Sequence, residues 1–162
     1  TGVDYCNVLD IDRFNKEALL FRAYINMNRR EYKEARIDYN ALLSEDNKNR
    51  TALIGLIILN QKEQKYREAI ESVDRMIVDN PKDVSLLKIK ANIEIEMNTL
   101  DLALIDLESA AKLSPNDPEI YVTCGDIYMA QKKNREAYVA YEKAVSLGTP
   151  RSELRDKLKA TK

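Results

Sequence analysis

Pro118-Glu119-Ile120-Tyr121-Val122-Thr123-Cys124-Gly125-Asp126-Ile127-Tyr128 is followed, past Met129 to Glu136, by Ala137-Tyr138-Val139-Ala140-Tyr141-Glu142-Lys143-Ala144. In the first piece Tyr121, Cys124-Gly125 and Tyr128 recur at steps of three and four. In the second, Ala137, Tyr141 and Ala144 do the same. Those spacings put each set on one face of a helix. Upstream, Ala35, Ala69, Ala103 and Ala137 stand 34 residues apart. A fixed period of that length is the signature of stacked helix-turn-helix units.

Working outward, the register divides the chain into a segment 1–15, repeats at 16–49, 50–83, 84–117 and 118–149, and a tail at 150–162. In 1–15, Tyr5 to Asp12 fits the end of a second helix entering a turn. Val8 falls in register with Leu42, Met76, Ala110 and Ala144. The segment is expected to be the remnant of a preceding repeat. Repeat 1 carries Leu19, Ala23 and Asn26 on one helix and Tyr32, Ala35, Tyr39 and Leu42 on the next. Repeat 2 opens with Ala52 to Leu59, a run that is too short to span a membrane, with Gly55 leaving room for close packing. Pro81 and Pro115 end units. Asp117, Pro118 and Glu119 form a helix start: an N-cap acceptor, a first-turn proline and an acid facing the dipole. The tail restarts at Pro150, and its only apolar pair, Leu154 and Leu158, predicts a capping helix.

Composition restricts function. Charged residues are 33%, hydrophobic residues 44%, and the net charge is −1. A nucleic-acid or anionic-membrane surface needs a basic excess, and the chain has none. Histidine is absent, which removes the commonest general base and metal ligand. No phosphate loop, CxxC or HExxH motif is present. The acidic residues Glu94, Glu96, Asp101 and Asp106 are expected on solvated faces. Asn49-Arg50-Thr51 is read as a chance glycosylation triplet. Cys6 and Cys124 are expected to be small buried residues, far apart in the repeat frame. The reading is an all-α protein that is not an enzyme, uses no cofactor or metal, and inserts no helix into a membrane. It is expected to be soluble, cytoplasmic or, if a leader was removed, bacterial periplasmic.

The pattern resembles the tetratricopeptide repeat family. That family has an aromatic, Leu-Gly and Tyr on the first helix, then Ala, an aromatic and Ala on the second, with Pro at the turn. Repeat 4 matches at Tyr121, Gly125, Tyr128, Ala137, Tyr141 and Ala144, and departs with Cys124 for Leu and Thr149 for Pro. Repeats 1–3 keep the second-helix alanine and replace the glycine with Ala23, Ile57 and Ala91. The resemblance implies an α-solenoid, a right-handed superhelix whose first helices line a concave face, and a role as a protein-interaction scaffold. On that face the register places Leu20, Tyr24, Met27, Ile54 and Ile58 at an apolar end. Lys88, Asn92, Val122 and Asp126 fall at a mixed end. The expected ligand is a peptide or protein segment with aliphatic anchors. The alternative is a structural segment of a longer array or a regulatory part of a larger protein, self-associating through the open N-terminal end. Some family members clamp a C-terminal carboxylate. Lys88 and Asn92 match the opening pair of that clamp, Thr123 replaces its next Asn, and Glu153 stands where a lysine is needed.

Overall fold

The computed structural model describes residues 8–162, with side chains from Asn15 onward. Among the described residues the structure is all-α. The helices are α1 (Val8–Asn28), α2 (Tyr32–Glu45), α3 (Arg50–Lys62), α4 (Tyr66–Asp79), α5 (Val84–Glu96), α6 (Leu100–Leu113), α7 (Pro118–Ala130) and α8 (Asn134–Ser146). A 3-10 turn (Arg151–Leu154) leads into α9 (Arg155–Ala160). The starts of α3, α5 and α7 are 34 apart, as are those of α2, α4, α6 and α8.

The turns explain the period. At each entry to α3, α5 and α7 a short polar side chain caps the helix. Asn49 Oδ1 accepts from the Ala52 amide at 3.0 Å, Asp83 Oδ1 from Leu86 at 3.3 Å and Asp117 Oδ1 from Glu119 at 3.0 Å. These bonds satisfy amides with no intrahelical acceptor. Asn49 of the formal glycosylation triplet is therefore a cap. The turn inside each repeat closes differently. Arg30, Gln64, Asn98 and Lys132, again 34 apart, adopt φ between 60° and 62°. The following amides reach back to Asn26, Asn60, Glu94 and Tyr128 carbonyls at 2.7 to 2.9 Å. This is a Schellman closure made without glycine, at positions where an L-residue costs about 1–2 kcal/mol.

The chain forms two compact units, Thr1–Val73 and Asp74–Lys162. In the first, Ala23, Ala35, Leu42, Ala52 and Leu59 are fully buried, with Tyr39 at 8% exposure. Gly55 of α3 lies under the Tyr39 ring, where an added Cβ would sit 2.6 Å from Cε1. In the second, Ala91, Ala103, Leu107, Ile120 and Ile127 form one core. Ala137, Tyr141 and Ala144 form another, closed by Leu154 and Leu158. Gly125 admits the Tyr141 ring as Gly55 admits Tyr39. Ala35, Ala69, Ala103 and Ala137 are each fully buried, as close helix approach requires.

Two expectations change. Residues 1–7, and with them Cys6, lie outside the described residues, but the turn expected before Lys16 is absent: α1 runs unbroken from Val8 to Asn28. Asn15, in register with the caps Asn49, Asp83 and Asp117, sits inside that helix. The C-terminal cap is also shorter than the expected helix, because Pro150 leads into a 3-10 turn before six α-helical residues.

Candidate functional site

In the first unit, the apolar positions expected on the first-helix face lie on α1 and α3. Tyr24 is 63% exposed. Leu20 and Met27 are partly buried against the core of Ala23, Ala52 and Leu59, and Ile54 and Ile58 are also partly buried. Phe21, three residues before Tyr24, is 66% exposed. The 34-residue register placed it off the expected face, and the only signal for it was the i, i+3 aromatic spacing. Arg22 holds α1 on α2 through a bidentate contact with buried Asp38, Nη2 to Oδ1 at 2.6 Å and Nε to Oδ2 at 2.9 Å. Arg36 of α2 donates to Asn60 Oδ1 at 2.9 Å and pairs with Glu63 at the end of α3. The aromatic surface is thus carried on pinned helices.

In the second unit the expected polar positions are largely occupied by the chain itself. Lys88 Nζ donates to Asp117 Oδ2 and Glu119 Oε2, both at 2.9 Å. Burial alone would lower the Lys88 ammonium, and the bonds to Glu119 and Asp117 outweigh it and hold the group above the ordinary lysine value. Asp126 accepts from the Tyr141 hydroxyl at 2.6 Å and from Lys157 Nζ at 2.7 and 2.9 Å. Lys88, which opens the clamp pattern, and Lys157 of the C-terminal cap thus already hold internal carboxylates. Val122 packs against the Ala137–Tyr141 core. Asn92 is exposed.

The expectation of solvated acidic faces is corrected at Glu94 and Asp106. Glu94 is 4% exposed, and its Oε1 has no hydrogen-bond partner. Lys90 Nζ lies 2.9 Å from Asp74 Oδ1 and 3.9 Å from Asp106 Oδ2. Burial first, and then a hydrogen bond with Asp106, pushes the Glu94 carboxyl up to about 8. At neutral pH it is largely protonated. The sequence could not show this, because a carboxylate one turn from a lysine is commonly a surface pair.

A concavity of about 510 Å³ lies between α6, α7 and α8, off the face where the register placed the binding residues. Leu107, Ile120, Cys124 and Ala140 form its apolar part, with Glu108 and Glu136 beside Tyr128. Cys124 is a half-buried free thiol. Among the described residues no group of three or more His, Cys, Asp or Glu side chains could hold a metal ion. No described helix is long and apolar enough to cross a membrane.

Solved structures share the fold. A tetratricopeptide repeat protein of Parabacteroides merdae matches at 27% identity and a TM-score of 0.76, over 90% of this chain. The chain spans 57% of that protein's length. A thermophilic tetratricopeptide repeat protein of Thermus thermophilus matches at 18% identity and 0.69, over 90% of this chain and 80% of that one. MamA of Desulfovibrio magneticus matches at 15% and 0.69, over 82% and 75%. The all-α tandem helix-turn-helix of tetratricopeptide proteins is therefore the fold. No curated protein sequence matches the chain. A family profile matches residues 16–146, from the start of repeat 1 to the end of α8. By that match the chain belongs to the ChAPs family, the Chs5p-Arf1p-binding proteins.

Proposed function

We propose that this protein is a docking module without catalysis of its own, which holds a protein or peptide segment on the first-helix surface of its N-terminal unit. The carrying observation is Tyr24, an aromatic ring 63% exposed on a helix pinned from the other side. Leu20, Met27, Ile54 and Ile58 flank it in register as partly buried aliphatics. Exposed aromatics on a rigid support dominate protein interfaces, because they bury a large area at low entropic cost. The family description names Chs5p and Arf1p as bound proteins, which supports a protein as the ligand here.

The test is titration of the chain with purified Chs5p and with Arf1p by calorimetry. Tyr24→Ala is expected to weaken binding by about tenfold or more. Ile54→Glu with Ile58→Glu is expected to abolish it while the helical circular dichroism is kept. Wild-type binding by both folded variants would remove this surface from the interaction. Light scattering separates the alternative: a chain that self-associates, and loses that association with Tyr24→Ala, uses the surface for its own assembly.

A further inference from the structure

The 34-residue register allows the α6–α7–α8 groove to be compared with its counterpart one repeat earlier. Cys124 occupies the slot of Lys90, Tyr128 that of Glu94, Ala140 that of Asp106, and Glu108 that of Asp74. In the earlier slot the chain supplies its own lysine. The Lys90 stem runs between helices, and its ammonium meets Asp74 at 2.9 Å and Asp106 at 3.9 Å. In the later slot the lysine has become a thiol and one carboxylate an alanine. The opposing carboxylate, Glu108, remains. The result is the open groove of about 510 Å³.

We propose that this groove receives a lysine side chain from a partner protein segment, seated as Lys90 is seated in the repeat before it. The stem would lie on Ile120, Cys124 and Ala140, with the ammonium on Glu108 and Glu136. Neither glutamate has an ion-pair partner among the described residues. Two cations also border the groove. Lys143 lies over the Tyr121 ring, 5.9 Å from its centroid, and Arg135 opens α8. Both glutamates still act on the groups at the groove floor. Burial and then Glu108 push the Cys124 thiol up to about 11. Burial, Cys124, Glu108 and Glu136 raise the Tyr128 hydroxyl. An apolar-walled slot with acids at one end suits a long aliphatic stem ending in a charge. This surface is separate from the one around Tyr24, so either can fail alone.

The test uses a fluorescein-labelled peptide with a single lysine between leucines, and the same peptide with that lysine acetylated on Nε. Fluorescence anisotropy with the whole chain is expected to show the free-lysine peptide binding at least about tenfold tighter. Glu108→Gln, an exposed substitution that leaves the core untouched, is expected to remove most of that preference. Cys124→Lys supplies the missing side chain from within, and is expected to block the peptide while the protein stays folded. Equal binding of the two peptides overturns the proposal, as does unchanged binding by Glu108→Gln. Displacement of the peptide by equimolar spermidine also overturns it, since the occupant would then be a free polyamine. Should Cys124→Lys fail to fold, the Glu108→Gln comparison decides the matter alone.

Discussion

Glu94 gives the sharpest handle on the second unit. Its carboxyl is 4% exposed, with one oxygen lacking a partner. Burial and the hydrogen bond with Asp106 raise it from 4.5 to about 8. A group whose folded value is raised contributes stability that is fully present below its unfolded value and is lost as pH rises through the folded value. The window here runs from 4.5 up to about 8. That span, at about 1.36 kcal/mol per pH unit, sets a ceiling of about 5 kcal/mol. Relaxation and water entry reduce such ceilings, so about 2 kcal/mol is the expected loss. Glu94→Gln keeps the shape and can donate an amide N–H to Asp106, but has nothing to titrate. Urea unfolding of both proteins, followed by circular dichroism at about pH 5 and about pH 9, isolates the effect. Asp74, Asp106 and Lys90 are common to both and cancel. The wild type should lose about 2 kcal/mol relative to the variant between those two conditions. Two proteins whose stabilities run parallel, within about 0.5 kcal/mol, would show that Glu94 is not held protonated.

Other consequences follow from packing and turns. Ala103→Leu puts three extra carbons into a fully buried site and should cost about 1–3 kcal/mol; a melting temperature at or above wild type contradicts the close-approach role of the alanine ladder. Gly125→Ala drives a methyl into the Tyr141 ring and should cost a similar amount, about 1–3 kcal/mol. Near-ultraviolet circular dichroism should report the displaced tyrosine, and an unchanged spectrum and stability would refute the contact. Gln64→Gly relieves a left-handed residue at φ 62° and should stabilise by about 0.5–1 kcal/mol. A lower urea midpoint would mean that the Gln64 side chain makes a compensating contact.

The helical periods and the alanine ladder were legible because each is a local rule repeated every 34 residues. Of the three caps only Asp117 was legible, Asn49 reading in sequence as part of a glycosylation triplet. Asp117-Pro118-Glu119 announces a helix start by chemistry alone, and α7 begins at Pro118. The left-handed turn residues were not legible. Arg30, Gln64, Asn98 and Lys132 carry no glycine signal, and their conformation is imposed by the two helices they join. The apolar positions Leu20, Tyr24, Ile54 and Ile58 could be named from register, yet register does not report exposure. Tyr24 stands free, while Leu20 leans on the core. Lys88 and Asp126 look available for a ligand in sequence. Only folding brings Asp117, Glu119 and Lys157 from 29 to 31 residues away to engage them.

One slot shows how such a fold acquires function without changing its backbone. Asn26, Asn60, Glu94 and Tyr128 occupy the same place, and each lends its carbonyl to the same turn closure. Their side chains do different work. Asn60 accepts from Arg36 at 2.9 Å. Glu94 sits beside Asp106, near Lys90. Tyr128 borders an unfilled groove. Because the closing hydrogen bond uses only main-chain atoms, the slot's side chain is free of the fold's geometric demands. Placing the Lys90, Glu94 and Asp106 set into repeat 4, as Cys124→Lys, Tyr128→Glu and Ala140→Asp, should therefore keep the helices and abolish the groove. Loss of helix in that triple variant, measured by circular dichroism, would mean that slot and backbone are coupled after all.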